Sequence, residues 1–133
     1  LPIPESLIIL IQLGRWQAGY QETPLEHIQR FAPEEHKLFF DRPPFGKPEG
    51  SLGNLDYFRG EPDEEAPPGD IDFARAVIIG DFGHGSDAPI ALDYRKSLDN
   101  PSVIRYHWSP YGKNNRWVYV ASSFEEFAKL LQL

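Results

Sequence analysis

Apolar residues recur at helical spacing near both ends of this chain and at strand spacing between them. Near the start, Pro4-Glu5-Ser6 opens an apolar run that Gly14 can close, with proline and acid at the front of a helix and glycine at its stop. Thr23-Pro24-Leu25-Glu26 places Thr at an N-cap, Pro at N1 and Glu at N3, the capping box of a second helix expected to run to Phe31. Pro33 then opens a further turn, and Lys37–Phe40 reads as extended. Four runs of β-branched and aromatic residues follow later: Ala74–Ile79, Pro89–Tyr94, Val103–Trp108 and Arg116–Ala121. Their short, turn-rich connections predict an antiparallel meander. Alternation puts Ile90, Leu92 and Tyr94 on one face with Ile104, Tyr106 and Trp108 as a matching set, and Asp93, Arg95, Arg105 and His107 opposite. The last helix is capped by Ser123 with Glu126, and Phe124, Phe127, Leu130 and Leu131 form its apolar stripe.

The segment 41–70 interrupts this order, with six prolines and five glycines in thirty residues. It is too rich in breakers for a regular helix or a central strand. Phe45, Leu52, Leu55, Tyr57 and Phe58 lie along it, so a loop pinned to the domain is expected. The chain thus reads as one domain, 1–133: a helical N-terminal region over 1–40, the Pro/Gly-rich segment 41–70, and a meander plus helix over 71–133.

Composition narrows the function classes. In 133 residues there are 13 basic and 20 acidic side chains, a net charge of −7. Binding along a phosphate backbone wants the opposite sign, so no direct nucleic-acid contact is expected, and a basic partner suits the charge better. The acids are uneven: Glu61, Asp63, Glu64, Glu65, Asp70 and Asp72 come with no base among them. There is no Cys, which removes disulfides, thiol nucleophiles and thiolate metal sites. No signal-like start and no run near the roughly 20 apolar residues of a membrane span is present, and a cytoplasmic, membrane-free chain is expected.

The most distinctive stretch runs from Ile78 to Asp93 and holds Gly80, Asp81, Gly83, His84, Gly85, Ser86 and Asp87. Its glycines permit positive φ and close backbone approach. Asp81-Phe82-Gly83 matches the metal-binding triplet of protein kinases, but no other element of that signature accompanies it. His84, Asp81 and Asp87, with His107, are residue types that a divalent ion accepts, yet they lack recurrent ligand spacing. Ser86, His84 and Asp87 crowd one tight loop, a poor arrangement for a nucleophile, base and orienter. The stretch is therefore expected to be a structural turn in which Gly80, Asp81, Gly83, Gly85 and Ser86 bond their own loop. No metal, no other cofactor and no catalytic residue are expected. Trp108, Tyr111, Trp117 and Tyr119, beside Lys113 and Arg116, form either a stacking platform or, more commonly, cross-strand core.

Ile79-Gly80, the glycine-rich turn from Gly83 to Asp87, Ile90-Ala91-Leu92-Asp93 and Ser123-Phe124-Glu125-Glu126-Phe127 occur in an order and spacing that resembles the SUKH superfamily. That group contains the yeast Smi/Knr cell-wall regulators and many bacterial proteins. The resemblance covers about the last half of the chain. It implies an α+β fold, a predominantly antiparallel sheet with the four-strand meander over 74–121, room for extra edge strands, and N-terminal helices and a C-terminal helix packed on it. It also implies binding without catalysis: bacterial members act as immunity proteins that neutralise polymorphic toxins, many of them nucleases. A basic toxin domain is then the expected partner. The expected contact surface is Glu61, Asp63, Glu64 and Glu65, with His84 and Asp87 of the turn and Asp93, Arg95, Arg105 and His107 of the sheet. A housekeeping regulatory or scaffolding domain and a small metal-dependent hydrolase remain as alternatives.

Overall fold

A computed structural model describes residues 1–52, 55–83, 88–109 and 115–133, without the side chains at 49 and 51. Among these residues, seven strands join one antiparallel sheet in the order β1-β2-β4-β5-β6-β7-β3. The central strands are β4 (Ala76–Asp81), β5 (Pro89–Asp93), β6 (Ser102–His107) and β7 (Arg116–Ala121). Two-residue strands complete the edges: β1 (Gly19–Tyr20) and β2 (Phe39–Phe40) on one side, β3 (Pro68–Gly69) on the other. The architecture is α+β, with the expected meander and added edge strands. No helix among the described residues is long and apolar enough to cross a membrane.

Helix α1 (Glu5–Gln12) starts after Pro4, whose carbonyl accepts from the Leu7 and Ile8 N–H groups. It stops at Gly14, at φ +71°. Trp16 follows and stacks on Phe40 with ring centroids 3.7 Å apart. Helix α4 (Phe124–Leu130) is capped as the sequence indicates, Ser123 Oγ accepting from Glu126 N–H at 3.2 Å.

Several local expectations are corrected. Thr23 does not cap helix α2 (Leu25–Gln29): Pro24, at ψ 134°, is itself the N-cap, and no side chain bonds the first turn. That helix also ends at Gln29 rather than at Phe31. The segment 41–70 does contain a short helix, α3 (Pro48–Leu52), with proline at its first residue, where the missing N–H is harmless. A 3-10 turn over Asp56–Phe58 follows it. The first meander strand begins at Ala76 because Asp72 accepts from Ala74 N–H and folds Phe73–Arg75 into a 3-10 turn.

The largest correction concerns the faces of the sheet. Both are covered. On one, α1, α4 and the α2 region enclose Leu7, Ile28, Ile90, Leu92, Val103, Phe124 and Phe127. On the other, Leu52 and Phe58 of the proline-rich segment, with Ile71 just after it, close over Ile78, Ala91, Ile104, Tyr106 and Trp117. The register pairs Ile90 with Arg105, Ala91 with Ile104 and Leu92 with Val103. Ile104 and Tyr106 therefore lie opposite to Ile90 and Leu92, not beside them, because paired residues share a face. Asp93 and Arg105, expected together on a polar face, are both buried and on different sides.

Candidate interaction surface

The acidic run occupies a lobe built on a tight reversal of the chain. Gly60 bridges to Asp70, and Ile71 N–H donates to Arg59 O at 3.1 Å. Both glycines of the reversal stand at positive φ, Gly60 at +70° and Gly69 at +73°. A Cβ on Gly69 would lie 2.2 Å from Glu61 O, so the position excludes any larger residue. Asp63 organises the tip, its Oδ1 accepting from Glu65 N–H at 3.0 Å and Ala66 N–H at 3.1 Å. Its Oδ2 accepts from Arg116 Nη1 at 2.5 Å. The Ala66 N–H, then the Glu65 N–H and the Arg116 guanidinium, hold the Asp63 carboxyl below the usual range against a smaller effect of burial.

The aromatic cluster seats this lobe on the sheet. Trp117 is fully buried and donates from Nε1 to Phe58 O at 2.6 Å, and Tyr106 donates its hydroxyl to Tyr57 O at 3.1 Å. Tyr106 meets Trp108 and Trp117 edge to face, at 5.2 and 5.4 Å. These rings are cross-strand core; Tyr111 and Lys113 lie outside the described residues. Between lobe and sheet end runs a cleft of about 650 Å³ whose lining includes Asp56, Glu61, Asp63, Tyr106, Asn115 and Arg116.

A second network ties the base of the lobe to the meander. Arg95 donates from Nε and Nη2 to the Asp93 carboxylate at 3.0–3.2 Å, and from Nη1 to Asp70 Oδ1 at 2.7 Å. Burial opposes its charge, but these two carboxylates raise the Arg95 pKa above its ordinary value. The third lies on the other face, where Glu34 Oε1 accepts from Arg105 Nη1 and meets His107 Nδ1 at 2.8 Å. Burial pushes the Glu34 carboxyl up, but the Arg105 guanidinium, the Glu34 backbone N–H and the His107 contact together outweigh it and bring the pKa to about 2. Arg105 Nε is buried without a partner. A hollow of about 470 Å³ beside it is lined by Phe31, Arg105, His107, Ser109, Arg116 and Tyr119, among others.

The expected contact residues are therefore divided. Glu61, Glu64 and Glu65 are exposed on the lobe. Asp63 is committed to Arg116, Asp93 and Arg95 to each other, and Arg105 and His107 to Glu34. Sequence reasoning missed Glu34 and Asp70, which lie 71 residues from Arg105 and 25 from Arg95 with no local pattern to mark them.

In the turn after β4, Asp81 Oδ1 accepts from Gly83 N–H at 2.8 Å and Ala88 N–H at 2.9 Å. Asp81 thus ties both described ends of the turn, a structural role. Gly80 is fixed by space rather than by φ, since a Cβ there would lie 2.7 Å from Phe39 O. His84, Gly85, Ser86 and Asp87 lie outside the described residues. Among the described residues, no group of three His, Asp or Glu side chains could hold a metal ion. No protein-family model, curated protein or solved structure matches this chain.

Proposed function

We propose that this chain is a non-catalytic protein-binding domain that neutralises a basic toxin domain in the cytoplasm, in the manner of SUKH immunity proteins. One observation carries the choice of surface. Of the six acids from Glu61 to Asp72, the three aspartates are neutralised by Arg116, Arg95 and Arg75, whereas Glu61, Glu64 and Glu65 stand exposed with no ion pair among the described residues. Three free carboxylates on a braced lobe attract a cationic partner and lose little freedom on meeting it. The partner class itself rests on the resemblance of the last half of the chain.

The test pairs the purified chain with the toxin encoded by the adjacent gene. The triple variant Glu61→Lys/Glu64→Lys/Glu65→Lys should associate at least about tenfold more slowly at low salt and lose protection in co-expression, while melting as wild type does. Undiminished binding by the folded variant overturns the surface. Failure of wild type to bind that toxin, with unprotected cells, overturns the immunity reading.

A further inference from the structure

The hollow beside Arg105 has a wall whose charge is opposite to that of the chain. Register builds it. Arg105 of β6 pairs with Val118 of β7, and His107 with Arg116, and paired residues share a face of the sheet. These four side chains form one patch, and Phe31 joins them around the roughly 470 Å³ of open space. The chain has 20 acidic and 13 basic side chains, yet among the described residues no Asp or Glu lines this space. Glu34, which holds Arg105 Nη1 and His107 Nδ1, is not part of the lining, and neither is Asp63, which holds Arg116 Nη1. The carboxylates therefore fix the basic groups in place without filling the hollow, and each basic group keeps further N–H donors.

Arg105 decides what the hollow takes. Its side chain is 6% exposed, and its one side-chain hydrogen bond among the described residues runs from Nη1 to Glu34. Nε is buried with no partner. A buried N–H left unmet opposes folding, and a ligand oxygen that accepts from it removes that loss. The Nε–Nη2 edge of a guanidinium carries two parallel N–H groups, the fork that a carboxylate or a phosphoryl group accepts. A carboxylate spends both oxygens on that fork. A phosphoryl group has a third, which Arg116 and His107 can meet from across the patch. Phe31 and Val118 add an apolar wall, and the volume lies within the roughly 300–1,000 Å³ of small-ligand clefts. We propose that this hollow binds a phosphoryl group, free or carried on a small molecule, with Arg105 accepting it bidentately through Nε and Nη2. Arg116 and His107 hold the remaining oxygen, and Phe31 and Val118 face whatever apolar body the ligand has. The site works by binding alone and does not rest on the toxin reading.

Titration calorimetry of the full chain at fixed ionic strength tests this, with inorganic phosphate, phenyl phosphate and benzoate as probes and backbone amide shifts to locate them. Phenyl phosphate should bind with a dissociation constant of roughly 0.1–1 mM, and benzoate at least about tenfold more weakly. The shifts should centre on Phe31, Arg105, His107 and Val118. Inorganic phosphate within about threefold of phenyl phosphate assigns the site to free phosphate, and a wider gap assigns it to a phosphomonoester. Arg105→Lys keeps the charge but not the fork, and should weaken phenyl phosphate at least about tenfold. Arg116→Gln, at a half-buried position, carries the test if that variant fails to fold, with a loss of about three- to tenfold. No binding below about 10 mM, benzoate equal to phenyl phosphate, shifts centred elsewhere, or a folded variant of either arginine that binds as wild type does overturns the proposal. No toxin enters the experiment, so its failure leaves the acidic lobe's role standing and the two readings fall separately.

Discussion

Arg95→Met would test how firmly the acidic lobe is fastened. The guanidinium makes three bonds to the Asp93 carboxylate, at 3.0, 3.2 and 3.0 Å, one to Asp70 Oδ1 at 2.7 Å and one to Asp70 O at 2.9 Å. Methionine keeps much of the stem and removes all five. Asp93 is 3% exposed and would retain the Arg95 backbone N–H at 3.1 Å as its remaining described donor. Breaking a buried pair by removing one partner costs about 3–5 kcal/mol. Here the Arg95 side chain is 24% exposed, so water relieves some of that loss, and about 2–3 kcal/mol is expected from Asp93. Asp70, 27% exposed, adds less than about 1 kcal/mol. The sum, about 3 kcal/mol, should lower the urea midpoint by roughly 1–3 M at the slope typical of small domains, read from tryptophan fluorescence. Hydrogen exchange should quicken at the Asp63 and Ile71 amides, which bond Pro68 O and Arg59 O inside the lobe. Adding Asp93→Asn should restore some of the stability, since the stranded charge is then gone. A loss below about 1 kcal/mol with unchanged exchange at both amides would refute the reasoning, placing Arg95 among surface ion pairs.

Two carboxylates should titrate stability with opposite signs. Glu34, with its folded pKa near 2, contributes above the unfolded carboxylate pKa and loses that contribution as pH falls from about 5 towards 2. Glu34→Gln should flatten thermal stability in that window; because the side chain is about a third exposed, the effect is discounted to ~1–2 kcal/mol. Burial raises the Asp41 pKa, so its contribution is greatest at low pH and is lost as pH rises through the folded pKa. Asp41→Asn should therefore match wild type near about pH 3 and melt higher at about pH 7, and an unchanged pH profile counts against the half-buried placement of this carboxyl. Gly80→Ala would push a Cβ to 2.7 Å from Phe39 O and 3.5 Å from an Ile90 methyl. It should cost ~1–3 kcal/mol and release the Asp41 amide from Ile79 O while the amides of β5 and β6 keep their protection; wild-type exchange at Asp41 would contradict the close approach.

What the sequence determined by itself is what depends on neighbours along the chain. Arg116–Ala121 is a strand and Ser123 a cap because a period of two and a short hydroxyl before an acidic turn act within a few residues. The run of acids between Glu61 and Asp72 was equally plain, and so was the bond-hungry Asp81 beside glycine. Which acids remain free was not, because Asp63 and Asp70 are claimed by Arg116 and Arg95, which only the fold delivers, while Asp72 meets its near neighbour Arg75. The faces of the meander were decided by register: β5 pairs with β6 without irregularity but with Ala91, not Ile90, opposite Ile104. Irregularities between Ile78 and Gly80 and between Val103 and Ile104 interrupt the alternation where β4 and β7 pair with them. A shift of one residue exchanges the faces, so Ile104 joins Trp117 under the proline-rich segment while Arg105 turns toward Glu34. That segment could act as a second layer only once Phe58 and Leu52 had a sheet face to cover, a contact no local pattern encodes.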